Sequence, residues 1–157
     1  MSFVNPDSPE FKMEIMACAG HLAGIRRFLE EGVDVNYVDE STNYMGEVLH
    51  TFLTSAVGNQ QLDAAALLLE RGADPNLGNP LQSALANHHF EIANLLVSAG
   101  ASLNPVIGPD LIMSRQRFWR KITDESLQWL IAQGADFNQT HDGGVSALEL
   151  CRKRHKR

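Results

Sequence analysis

ERGADPN, residues 70–76, is written four times in this 157-residue chain with small changes. It returns as EEGVDVN at 30–36, SAGASLN at 98–104 and AQGADFN at 132–138. An apolar run precedes each copy: Phe28-Leu29, Leu67-Leu68-Leu69, Leu95-Leu96-Val97 and Leu130-Ile131. A phrase repeated in this way means an array of similar units, each stacked on its neighbours. Such an array offers a binding surface and argues against a single enclosed active site.

Upstream of the phrase, Leu62, Ala65, Ala66 and Leu69 recur at +3, +4 and +7, which predicts one buried helical face. That helix is expected to end at Arg71, with Gly72 as the left-handed residue behind it. A side chain in that conformation costs about 1–2 kcal/mol. Asp or Asn after the glycine suits a tight turn through side-chain-to-backbone bonds. A shorter first helix is expected to end near Gly58-Asn59. Each two-helix unit carries apolar groups on both sides, so it needs neighbours to be stable.

Counting back from Gly32, Gly72 and Gly100 gives three segments that align without a gap, opening at Phe11, Thr51 and Asn79. They resemble the ankyrin repeat pattern TPLHxAAxxGHxxxVxxLLxxGADxN. Ala17, Gly20-His21 and Leu29 match in the first unit. Thr51, Leu53, Ala56 and the run ending in Gly-Ala-Asp match in the second, and Pro80-Leu81, Ala84, Ile92 and Leu95-Leu96 in the third. The four glycines are 40, 28 and 34 residues apart, a mean of 34, close to the roughly 33 of that family. The resemblance covers residues 11–151. It implies an all-α solenoid of stacked helix-turn-helix units joined by finger loops. The expected units are 11–36, 51–76, 79–104 and 110–138, with a half unit at 146–157. Residues 1–10 are expected to be a short extension or cap, with Pro6 and Pro9 opposing regular structure. The fourth unit departs from the pattern in its first helix, where Phe118-Trp119 replaces a pair of alanines. Its second helix is expected to be capped by Thr123 or Asp124 and to bury Leu127, Leu130 and Ile131.

Apolar residues make up 44% of the chain and charged residues 20%, which excludes a disordered chain. No apolar stretch approaches about 18 residues, so no membrane span is expected. The start, MSFVNPDSPEFK, lacks the basic and apolar regions of a secretion signal. Two cysteines, Cys18 and Cys151, fit a reduced, cytoplasmic setting. The net charge of −6 is uneven. Residues 1–110 hold 14 acids and 4 bases, and residues 111–157 hold 5 acids and 9 bases. The acidic half disfavours nucleic acid and would attract a basic protein surface.

The resemblance implies a concave binding surface built from the fingers and the exposed side of each first helix. The finger Tyr37–His50 is longer than the family needs and carries Tyr37, Asp39, Glu40, Tyr44, Met45 and Glu47. Aromatics and Met are interface anchors, and acids steer a basic partner. The alternative is a loop that packs on the neighbouring unit. The next finger shrinks to Leu77-Gly78, which leaves a notch. Ser55, Asn59, Ser83 and Asn87 are expected to be exposed on first helices, small enough for close approach. Arg117, Arg120 and Lys121 take the matching places in unit four, a basic patch or a solvated helix face. Val106 and Ile107 are a contact or part of the core.

Catalytic readings are weak. Cys18 and His21 are three apart, but His21 takes the Gly-His turn position. His88-His89 sits on an inter-helix turn, and no Cys or acid completes a zinc spacing. No phosphate-binding or hydrolase motif occurs. No cofactor and no metal are expected. The leading expectation is a non-enzymatic protein-binding module, a small inhibitor or immunity-type protein. Alternatives are a host-directed effector or scaffold adaptor, a nucleic-acid binder through the basic C-terminal region with its RKRHKR tail, and a Cys/His hydrolase.

Overall fold

A computed structural model describes residues 5–38, 49–103 and 124–137. Among these residues there are seven helices and no strand. Three helix pairs follow one another. They are α1 (Pro9–Ala19) with α2 (Leu22–Glu30), α3 (Phe52–Gly58) with α4 (Leu62–Glu70), and α5 (Pro80–Ala86) with α6 (Phe90–Ser98). The second helix of the fourth unit follows as α7 (Asp124–Ala132). First helices pack in one row, α1 on α3 on α5, and second helices in another, α2 on α4 on α6. This is the all-α repeat architecture that the phrase pointed to.

The first helices start where caps can be made. Ser8 caps α1 through the Phe11 N–H, and Pro9 is its first helical residue. Pro9 therefore begins the first unit and does not oppose it, because the missing N–H would have no partner at that position anyway. Thr51 caps α3 with a reciprocal box: its hydroxyl accepts from the Thr54 N–H, and its own N–H donates to the Thr54 hydroxyl. Both residues are buried, so these bonds replace water that cannot reach them.

The turn inside each of the first three units passes through one left-handed residue. It is Gly20 in the first unit, but Gln60 and His88 in the next two, with φ of 68°, 60° and 60°. The residue after each turn begins the second helix. His21 accepts the Gly24 N–H at Nδ1 (2.9 Å), and His89 donates from Nδ1 to the Val57 carbonyl of the preceding unit (3.0 Å). At the far end of each second helix, Gly32, Gly72, Gly100 and Gly134 are all left-handed. The Ala73 N–H closes on Leu68 O and the Gly72 N–H on Leu69 O, so α4 ends as its sequence predicts.

In the first two units the asparagine that closes the phrase ties one unit to the next. The Asn36 amide donates to the Gly72 carbonyl (3.1 Å), and its Oδ1 accepts the Asp74 N–H (2.8 Å). Asn76 repeats this on Gly100 (3.4 Å) and Ser102 (2.8 Å). The aspartates act locally: Asp34 accepts the Asn36 N–H, and Asp74 the Asn76 N–H. One core runs along the stack, with Met13, Ile25, Leu53, Leu68, Leu85, Ile92, Leu96 and Leu130 among its fully buried side chains.

Two expected stripes have the right period and the wrong phase. In α4 the buried residues are Ala64, Ala65, Leu67 and Leu68, while Leu62 is exposed and Ala66 and Leu69 are half-buried. The sequence LDAAALLLE is apolar around most of the helix, so its pattern does not single out the face that meets α3. In α7 only Leu130 of the expected three is buried, and Ile131 is 64% exposed. Ser126, one turn before Leu130, takes the inner position because its hydroxyl reaches the Leu85 carbonyl (3.0 Å). The first helix of unit four, the 146–157 half unit, residues 1–4, and Val106 and Ile107 lie outside the described residues.

Gln60→Gly is expected to stabilise the protein by about 0.5–1 kcal/mol. Relief of about 1–2 kcal/mol of left-handed cost exceeds the entropy that glycine adds to the unfolded chain. Urea unfolding should show a higher midpoint with an unchanged slope. Asn76→Ala, which removes both bonds to the next unit, is expected to destabilise by about 1–2 kcal/mol. An unchanged midpoint would mean that the asparagine ties carry no net energy.

Candidate functional site: a groove across the first helices

Residues four apart on a helix share a face. Three such pairs come together on the first-helix row: Glu14 and Cys18 on α1, Ser55 on α3 with its C-cap Asn59, and Ser83 on α5 with its C-cap Asn87. Together they line a groove of about 460 Å³. The two asparagines are held alike. The Asn59 amide donates to the Ser55 carbonyl (2.8 Å) and the Asn87 amide to the Ser83 carbonyl (2.9 Å). The finger side is closed by His50, Gly78 and Asn79. Gly78 is left-handed, and a Cβ there would collide with the Leu49 carbonyl oxygen. The notch expected at Leu77-Gly78 is thus a place where the short finger presses on the base of the long one.

The structure gathers Ser55, Asn59, Ser83 and Asn87 into this one groove. Of the four expected to be exposed only Asn59 is: Ser83 and Asn87 are half-buried, and Ser55 is 9% exposed. Its hydroxyl donates to Glu14 Oε1 of the neighbouring helix (3.3 Å), a partner that sequence spacing does not show. Tyr37 is half open, with its ring stacked on Phe52 of the next unit (centroids 5.9 Å, planes 20° apart). The base of the long finger is therefore packed against the stack. Asp39, Glu40, Tyr44, Met45, Glu47, Arg117, Arg120 and Lys121 lie outside the described residues.

Cys18 and His21 have separate employments. The His21 ring nitrogen caps α2, while Cys18 faces the groove beside Glu14 and Ser55. Burial and the Glu14 carboxylate raise the Cys18 thiol above its ordinary pKa, and the Ser55 hydroxyl counters them in part. A nucleophilic cysteine needs the opposite shift. Sequence reasoning also missed the ties between units three and four: His88 Nδ1 lies 3.5 Å from Glu125 Oε2, and Trp129 donates to Asn94 (3.1 Å). Their sequence separations carry no repeat signal. No group of three or more His, Cys, Asp or Glu that could hold a metal occurs among the described residues.

The family model for ankyrin repeats in three copies matches residues 13–106. The chain belongs to the ankyrin repeat family. Ankyrin repeats act as protein–protein interaction modules and are in general non-enzymatic. Among the described residues, no helix is long and apolar enough to cross a membrane.

The raised thiol has a pH signature. Its folded pKa exceeds the unfolded one, so the stability it confers is present below the unfolded value and is lost as pH rises through the folded one. In a Cys151→Ser background, iodoacetamide alkylation of Cys18 is expected to be several-fold slower at pH 8 than that of a free thiol. Its half-maximal rate should lie at higher pH than the free thiol's, and Glu14→Gln should bring that pH down. A Cys18 profile that overlays the free thiol's would refute this account.

Proposed function

We propose that this ankyrin repeat protein binds and blocks another protein that carries a basic functional surface. The reading joins the first-helix groove to the acidic finger beside it. The observation that carries it is the charge of the groove. Among the described residues that line it, Glu14 is the one carboxylate, and there is no lysine or arginine. The finger adds Asp39, Glu40 and Glu47, and residues 1–110 carry 14 acids against 4 bases. Such a surface accelerates encounter with a basic partner and repels acidic ones. Tyr44 and Met45, in the same finger sequence, are residue types that supply apolar contact area. Residues 11–157 act in this reading as one domain in a cytoplasmic setting, as an inhibitor or immunity-type protein covers its target.

Partner capture tests this. The protein and its Asp39→Lys, Glu40→Lys, Glu47→Lys triple variant are used as baits on extract from the native source. The captured partner's activity is then titrated with each. The unaltered chain is expected to inhibit, and the variant to bind at least about tenfold more weakly. Equal binding by both baits would remove the acidic finger from the mechanism. Binding without loss of partner activity would replace inhibition by an adaptor role.

A further inference from the structure

Glu14 is the one carboxylate among the described residues that line the groove, and no lysine or arginine lines it with them. The Asn59 and Asn87 amides each spend one of their two N–H groups on their own helices, which leaves each Oδ1 and the second N–H for a ligand. Among the described residues neither Oδ1 has a donor. The Glu14 carboxylate receives one long bond, from Ser55 at 3.3 Å. That bond draws Glu14 of α1 onto α3, one turn from Asn59. Ile15, exposed on α1, takes the register position that Ser55 and Ser83 take on α3 and α5. A carboxylate from α1 and the side-chain amides of Asn59 and Asn87 therefore line one groove, with no lysine or arginine among its described lining residues.

We propose that the groove reads an arginine side chain of the partner, with its guanidinium between the Glu14 carboxylate and Asn59 Oδ1. The Asn87 Oδ1, one helix further along the row, accepts a main-chain N–H of the same segment. A guanidinium presents five donors in a planar fork and can serve two acceptors at once. A lysine ammonium is a point charge on a strongly hydrated head, and it gains less from acceptors on two helices. This inference rests on the reading of the first-helix face as the docking face. It adds the chemical class of the residue that is read there.

The full-length chain, labelled with ¹⁵N, is titrated with three capped tripeptides: glycyl-arginyl-glycine, its citrulline analogue and its lysine analogue. The arginine peptide is expected to shift amides around residues 14–18 and 55–59 and to saturate in the low millimolar range, about that of a single anchored side chain. The uncharged citrulline peptide and the lysine peptide should each bind at least about fivefold more weakly. Glu14→Gln keeps an oxygen for the Ser55 hydroxyl, so the fold is retained, and it should weaken arginine binding about tenfold. Asn59→Asp, which adds a second carboxylate, should tighten it several-fold. The proposal is overturned if citrulline or lysine binds as well as arginine, if shifts scatter over the acidic surface, or if both variants bind like the parent. No partner protein enters this titration. Arginine reading can therefore fail while capture through the finger stands, and capture can fail while arginine reading stands.

Discussion

Two asparagine side chains set the register of the stack. Asn36 and Asn76 each hold a carbonyl and an N–H of the following unit's glycine turn. A side-chain amide offers a donor and an acceptor side by side, so it replaces a missing stretch of backbone pairing. Helices packed by apolar contact alone can slide, because burial has no direction. A hydrogen bond has direction, and here it falls at the same place in successive units. The unit-to-unit step is then nearly constant however long the finger between the units is. This explains how connections of very different length coexist with one continuous core.

The same regularity places the groove. First helices stack on first helices, so any position on them recurs as a row across the face. The inward side of that row is built of small residues such as Ala17, Ala56 and Ala84, all fully buried, which brings the helices close. The outward side is then free to carry function. The Ser–Asn pair is written twice there, in α3 and α5, while α1 supplies Glu14 and Cys18. Repetition gives the groove its amide rungs, and departure from repetition gives it a charge.

Legibility followed the range of each interaction. The glycine ends and the two-helix unit were readable because each is settled within about four residues of the chain. The buried face of α4 was not, since a helix apolar on most sides takes its phase from its neighbours. Ser126 and Ile131 show the same limit in α7: a serine bonded to a carbonyl of another unit outranks an isoleucine for the inner place. Gln60 and His88 are a different case. They occupy left-handed positions where glycine would be easier, and the alignment with Gly20 marks the position but not the backbone cost.

Sequence by itself determined that this chain is an ankyrin stack, where its glycine-closed second helices end, and which positions share the first-helix face. These follow from periodicity and from turn residues, whose preferences are local. Tertiary structure decided which members of that face are usable. Ser55 was expected to be open and is covered by Glu14, forty-one positions away in sequence. Tyr37 was expected as a free anchor and leans on Phe52. Gly78 meets the Leu49 carbonyl from across the finger. Each outcome depends on a partner from another unit, and no spacing rule within one repeat encodes that partner.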